Sequence, residues 1–283
     1  MERYQFLGLS QAGFHKVSYT SFQGTGAGAG SLPTLICAHG LTRNGRDFDT
    51  LAEALKGDRQ VVCPDIVGRG KSDWLPDPAL YGYPQYLADM TALIARLDVP
   101  AVDWVGTSMG ALIGMMLAAQ PQSPIRRLVM NDAGPLIPAA ALQRIADYVG
   151  ADPTFLAPDA LEIYLRHIHA PFGSLTDQQW AHLTEHSARR RDDGMIGLAY
   201  DAGIGQAFAG EITDVDLWPV WDRVNCPVLV LRGAESDLLT PEIAGQMQTR
   251  GPKTLVVEMP GCGHAPALMA DDQIAVVREW LDA

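Results

Sequence analysis

Residues 102–111, Val-Asp-Trp-Val-Gly-Thr-Ser-Met-Gly-Ala, constrain this chain more than any other segment. An apolar strand-like run ends in Gly106-Thr107-Ser108-Met109-Gly110, and an apolar helical run to Ala119 begins at once. A serine wedged between strand and helix sits in a strained turn, so the residues two positions away on either side must be small. Gly106 and Gly110 supply that room. The following helix presents its free N–H groups and partial positive charge beside the serine. The glycine and serine spacing recurs by chance on its own; a strand before and a helix after make it informative. The bland alternative is a tight turn carrying an inert serine.

The strand-then-helix order recurs through the first half. Residues 15–22, 34–38, 60–63, 102–107 and 125–130 read as strands, and residues 48–55, 85–97 and 108–119 as helices. Such alternation predicts a largely parallel sheet with helices on both faces. The pattern breaks after Asn131-Asp-Ala-Gly-Pro135. From about residue 137 to 209 it is helical, with no convincing strand, and helices are expected at 139–149, 159–169 and 176–191. The last would end in Arg189-Arg190-Arg191, where cations suit the helix dipole. Strands return at 227–232 and 253–259, and a final helix spans 271–281. We read residues 1–134 and 218–283 as one α/β core and 135–217 as a helical cap inserted into it.

Two glycine segments tempt a nucleotide-binding reading. Residues 24–29 nearly match the dinucleotide fingerprint, but another strand follows where a helix is required, so residues 24–30 read as a turn. Gly68-Arg-Gly-Lys-Ser72 resembles the end of a phosphate-binding loop, yet Asp65 stands where the first glycine belongs. A net charge of -12 further disfavours nucleic acid or an anionic membrane. The longest apolar run, 109–119, is too short to span a bilayer, and the first residues lack a signal-peptide pattern; a cytoplasmic location is expected. The four cysteines are widely spaced; Cys37 and Cys63 read as small buried hydrophobes, and no zinc or disulfide framework is expected.

A serine hydroxyl needs a base to act as a nucleophile near neutral pH. Of seven histidines, His167, His169, His182 and His186 fall in the helical middle as surface or packing residues, and His15 opens a strand. His264 follows the last strand in a glycine-rich loop, Gly261-Cys-Gly-His264, that can fold the imidazole over the sheet edge. A carboxylate must hold the other ring nitrogen. Asp237, just after a strand, is assigned that role; Asp132 also follows a strand and competes for it. Donors for a tetrahedral oxygen are expected from the Met109 N–H and, in Ala38-His-Gly-Leu41, from the Leu41 N–H. His39 is read as bracing that loop.

His39-Gly40, Asp65-x-x-Gly68-x-Gly70-x-Ser72, Gly106-x-Ser108-x-Gly110, Gly233-x-x-x-Asp237 and Gly263-His264 together resemble the α/β-hydrolase fold superfamily over nearly the whole chain. The resemblance implies an eight-stranded sheet, a covalent acyl-enzyme and no cofactor or metal. It points to a serine hydrolase of small or medium carboxylic esters, including 3-hydroxyacid oligoesters. Its expected partner is a small-molecule ester, and the chain would act as a monomer or homodimer. Met195, Ile196, Phe208 and Trp218 are expected to line the acyl pocket. Rival readings are a C–C bond hydrolase of ring-cleavage dienols, a lactonase or perhydrolase, and a non-catalytic ligand-binding protein on the same scaffold.

Overall fold

The computed structural model describes residues 1–24 and 30–283. The turn expected at residues 24–30 therefore lies, apart from its two ends, outside the described residues.

The strands are β1 (Glu2–Ser10), β2 (Gly13–Phe22), β3 (Thr34–Ala38), β4 (Val61–Pro64), β5 (Val102–Thr107), β6 (Ile125–Asn131), β7 (Leu136–Ile137), β8 (Ala188–Arg190), β9 (Ile196–Leu198), β10 (Val215–Asp216), β11 (Val228–Gly233) and β12 (Thr254–Met259). The helices are α1 (Asp49–Leu55), α2 (Tyr83–Leu97), α3 (Met109–Ala118), α4 (Ala139–Ala146), α5 (Pro158–Ile168), α6 (Asp177–Ser187), α7 (Trp218–Trp221), α8 (Pro241–Thr249) and α9 (Asp271–Asp282).

One eight-stranded sheet has the order β1-β2-β4-β3-β5-β6-β11-β12. β1 and β2 are antiparallel to each other and β2 to β4; every other pair is parallel. This is the α/β-hydrolase fold.

Strand alternation divides the core into two layers. In β3 and β11, Leu35, Cys37, Leu229 and Leu231 join α1 and α9. Ile36, Ala38, Val228 and Val230 face the opposite layer, which holds α2, α3 and α8. Burial on both faces explains why these strands read as continuous apolar runs. After β3 the chain runs to β4 on one side and then to β5 on the other, leaving a crevice at the carboxyl ends of β3 and β5.

The segment between β6 and β11 adds no strand to the large sheet among the described residues. It is not purely helical, however. β8 and β9 form an antiparallel hairpin, and β10 pairs with β7. The arginine run belongs to that hairpin rather than to a helix end, because α6 stops at Ser187 and Arg189 pairs with Gly197. Two further elements escaped the sequence pattern. β1 is an edge strand with little burial, and α8 is short and weakly amphipathic.

Some polar groups in the core are fully buried, and Asp103 is one of them. Asp103 of β5 is 0% exposed and accepts from Arg126 Nε at 2.9 Å and Arg59 Nη1 at 3.2 Å. Arg59 is itself 2% exposed. Asp103→Ala leaves that guanidinium with Asp282 as its one acidic partner among the described residues. We expect the substitution to lower the unfolding free energy by about 3 kcal/mol, read as a fall in the urea midpoint at unchanged slope.

Candidate functional site

Ser108 closes β5 with φ 51° and ψ -114°, a strained turn that α3 follows at once. The close approach is real. A Cβ on Gly106 would lie 2.3 Å from the Gly110 carbonyl carbon, and one on Gly110 would lie 2.0 Å from the Ala38 oxygen. The Ser108 N–H is held by the Asn131 carbonyl at 2.9 Å.

His264 lies in the loop after β12. Its Nε2 is 3.0 Å from Ser108 Oγ, and its Nδ1 is 2.7 Å from Asp132 Oδ2. The carboxylate fixes the tautomer: Nδ1–H donates to Asp132, leaving Nε2 to accept the serine proton. The imidazole keeps 11% exposure and the carboxylate none.

The carboxylate that meets His264 Nδ1 is thus Asp132, not Asp237 as the sequence suggested. Asp132 follows β6 directly, at φ 54°, and its Oδ1 accepts the Gly233 N–H at 2.8 Å. Its Oδ2 also accepts from Ser236 Oγ at 2.6 Å. Asp237 lies farther out on the loop after β11 and makes a bidentate pair with Arg144 of α4, at 2.6 and 2.8 Å. Burial pushes the Asp237 carboxyl up, but Arg144 more than offsets this and holds it below the usual range. The sequence offered one signal for Asp132: it lies at the carboxyl end of β6, just past the apolar run Leu128-Val129-Met130. The Arg144 pairing, 93 residues away along the chain, had none.

Asn131 ties the parts together. Its Nδ2 donates to Thr107 Oγ1 at 3.0 Å and to the Pro266 carbonyl at 2.8 Å. One side chain therefore links the end of the serine strand to the histidine loop.

The N–H groups of Leu41 and Met109 find no acceptor among the described residues. His39 braces the Leu41 loop: Nδ1–H donates to the Gly40 carbonyl at 2.7 Å, and Nε2 accepts the Ile66 N–H at 2.9 Å.

A cavity of about 400 Å³ opens at Ser108. Tyr81, Tyr83, Tyr86 and Leu112 line it, together with Ile137, Leu142, Ile145, Ile204 and Phe208. Of the four residues expected there, Phe208 lines it and three do not. Met195 ends the β8–β9 hairpin, where its carbonyl accepts the Arg191 N–H. Ile196 is buried in β9 and bridges to Phe155. Trp218 lies buried beneath the Arg250 guanidinium at 4.7 Å. Residue type marked these as apolar without telling which of them meet the cavity.

Among the described residues, Asp49, His182 and His186 bring possible metal-ligand atoms together. Asp49 already pairs with Arg46, and His182 Nε2 donates to the Arg46 carbonyl at 2.9 Å. None of the three lines the Ser108 cavity.

The buried His39 makes acid stability testable. Burial pulls its pKa from 6.5 down to about 3. Between those values the unfolded chain holds a proton that the folded chain lacks, so stability falls as pH drops through that window. The slope is about 1.4 kcal/mol per pH unit for one proton. His39→Gln, neutral throughout, should flatten the stability profile by about one proton between pH ~6 and ~4. Urea unfolding at each pH reads this; an unchanged slope contradicts it.

Comparison with known proteins agrees with this architecture. The model of the alpha/beta hydrolase family matches residues 35–278. The chain is 44% identical to a 3-hydroxybutyrate-oligomer hydrolase of Cupriavidus necator, covering 96% of this chain and 94% of that protein. It is 29% identical to a 2-(acetamidomethylene)succinate hydrolase of Mesorhizobium japonicum, over 83% of this chain and 82% of that one. The crystal structure of an alpha/beta hydrolase from Novosphingobium aromaticivorans superposes with a TM-score of 0.87 at 34% identity, covering 99% and 98% of the two chains. This chain belongs to the alpha/beta hydrolase family.

Proposed function

We propose that the protein hydrolyses carboxylic esters through an acyl-enzyme on Ser108, with His264 as general base and Asp132 as the carboxylate that orients it. The observation carrying this reading is the continuous hydrogen-bonded chain from Ser108 Oγ through His264 to Asp132, at the floor of an apolar cavity.

Ser108 Oγ attacks the ester carbonyl as its proton passes to His264 Nε2. Asp132 stabilises the imidazolium that forms. The tetrahedral oxygen takes its negative charge toward the N–H groups of Leu41 and Met109, and α3 adds the field of its N-terminus. Collapse expels the alcohol, which leaves with the proton from Nε2. Water then repeats the sequence on the acyl-enzyme, releasing the acid and restoring Ser108.

The cavity size suits a small-molecule ligand. Glu211 is the one charged side chain in its described lining, so neutral acyl chains fit best. We propose residues 135–217 as a cap that closes this cavity, since α4 and residues 204–217 supply much of its wall. The 44% identity to a 3-hydroxybutyrate-oligomer hydrolase supports short 3-hydroxyacid oligoesters as substrates.

Ser108→Ala should cost several orders of magnitude in nitrophenyl-ester turnover; retained turnover ends this reading. Asp132→Asn should lower kcat about 10³- to 10⁴-fold, whereas Asp237→Asn should stay within about tenfold of wild type, the effect expected of a rim charge. The reverse ranking would return the orienting role to Asp237. Release of acid from a 3-hydroxybutyrate trimer, followed by titration, tests the substrate class, with a ring-cleavage dienol as the contrasting substrate.

A further inference from the structure

The motif Asp65-x-x-Gly68-x-Gly70-x-Ser72 has no part in the reaction as described, yet it presents an unusual cation. Arg69 is 0% exposed. Its Nε donates to the Leu41 carbonyl at 2.8 Å, and its Nη1 to the Val67 carbonyl at 2.8 Å and to Tyr86 Oη at 3.0 Å. The polar contact of Nη2 is Met109 Sδ, at 3.8 Å. Tyr86 and Tyr81 rings flank the guanidinium at 5.1 and 5.7 Å. Every one of these partners is neutral, and Arg69 makes no ion pair among the described residues.

Burying a guanidinium without a carboxylate is strongly unfavourable, and neutral acceptors only partly offset the loss of water. A shape-filling role would be met more cheaply by an apolar side chain. The position explains the charge. Two of the four residues in polar contact with the Arg69 guanidinium, Leu41 and Met109, are those whose N–H groups are unpartnered beside Ser108.

We propose that Arg69 is a positioning residue for the oxyanion hole: its fork pins Leu41 and backs Met109, and its uncompensated charge favours the anionic tetrahedral intermediate over the neutral ester. The rest of the motif holds that fork in place. Asp65 accepts the Gly45 and Lys71 N–H groups, each at 2.8 Å, and Ser72 Oγ donates to the Asp65 carbonyl at 2.6 Å. Gly68 and Gly70 bond to Asp201 and Ala199 at 2.8 and 2.7 Å, so the loop that carries Arg69 is also stitched to the inserted segment. Low dielectric around the buried charge strengthens its action on a nearby developing anion.

The inference rests on the serine-hydrolase reading, and the two can fail separately. If wild type turns over no nitrophenyl butyrate, or Ser108→Ala is equally active, the hydrolase reading fails before Arg69 is tested. With that activity in hand, Arg69→Met and Arg69→Lys are compared for kcat, KM and inhibition by an alkyl boronic acid, whose serine adduct is tetrahedral and anionic. Arg69→Met should lower kcat about 10- to 100-fold with KM within about threefold. Boronate affinity should fall in step with kcat/KM, while affinity for a neutral ketone-free substrate mimic, such as the corresponding amide, stays unchanged. Arg69→Lys keeps the charge but loses the fork and should recover part of kcat. It also keeps the test open if Arg69→Met does not fold, because the lysine variant must then show reduced kcat and boronate affinity. Wild-type kcat in either folded variant, or equal loss of boronate and amide affinity, overturns the proposal.

Discussion

The parallel register of β5, β6 and β11 is the constraint on which the site depends. Thr107, Asn131 and Leu231 lie level across these three strands. The next residue along β5 is Ser108, and the next along β6 is Asp132. Two chain positions 24 residues apart therefore meet at one sheet edge through backbone pairing alone, before any side chain contributes. A slip of one residue would turn either group to the opposite face.

Two kinds of polar group follow from that edge being buried. Asp132 has no exposure, so its charge must be met by donors, and Gly233, Ser236 and His264 supply them. Asn131 does similar work for the backbone, joining the serine strand to the histidine loop. Because each donor is also held by the sheet or a short loop, the imidazole is held in one orientation toward Ser108.

The inserted segment and the core share more than a cavity wall. The histidine loop bonds to it through Gly263 N to Pro171 O at 2.8 Å, and the Arg69 loop through Gly70 N to Ala199 O at 2.7 Å. Asp237 and Arg144 add a pair at the rim. With both side chains substantially exposed, that pair adds little stability. Buried side chains add further bonds, from Arg43 Nη1 to Ser187 Oγ at 2.9 Å and from Tyr81 Oη to Asp201 at 2.6 Å.

By itself, the sequence determined most of the sheet and the strained turn that carries Ser108. Runs such as 34–38 and 102–107 are apolar enough to be read as strands buried on both sides, and Gly106 and Gly110 mark a turn that few other residues tolerate. These are local properties, set by period and by steric size. Weakly buried β1 and short α8 left fainter patterns, and the hairpin β8–β9 hid its arginines inside what looked like a helix end. Tertiary structure alone decided which aspartate reaches His264 and which apolar residues face the cavity. Both Asp132 and Asp237 follow strands, so local pattern cannot separate them. What separates them is distance: one carboxylate turns back over the sheet edge onto the imidazole, and the other turns out to a guanidinium that the chain delivers from a distant helix.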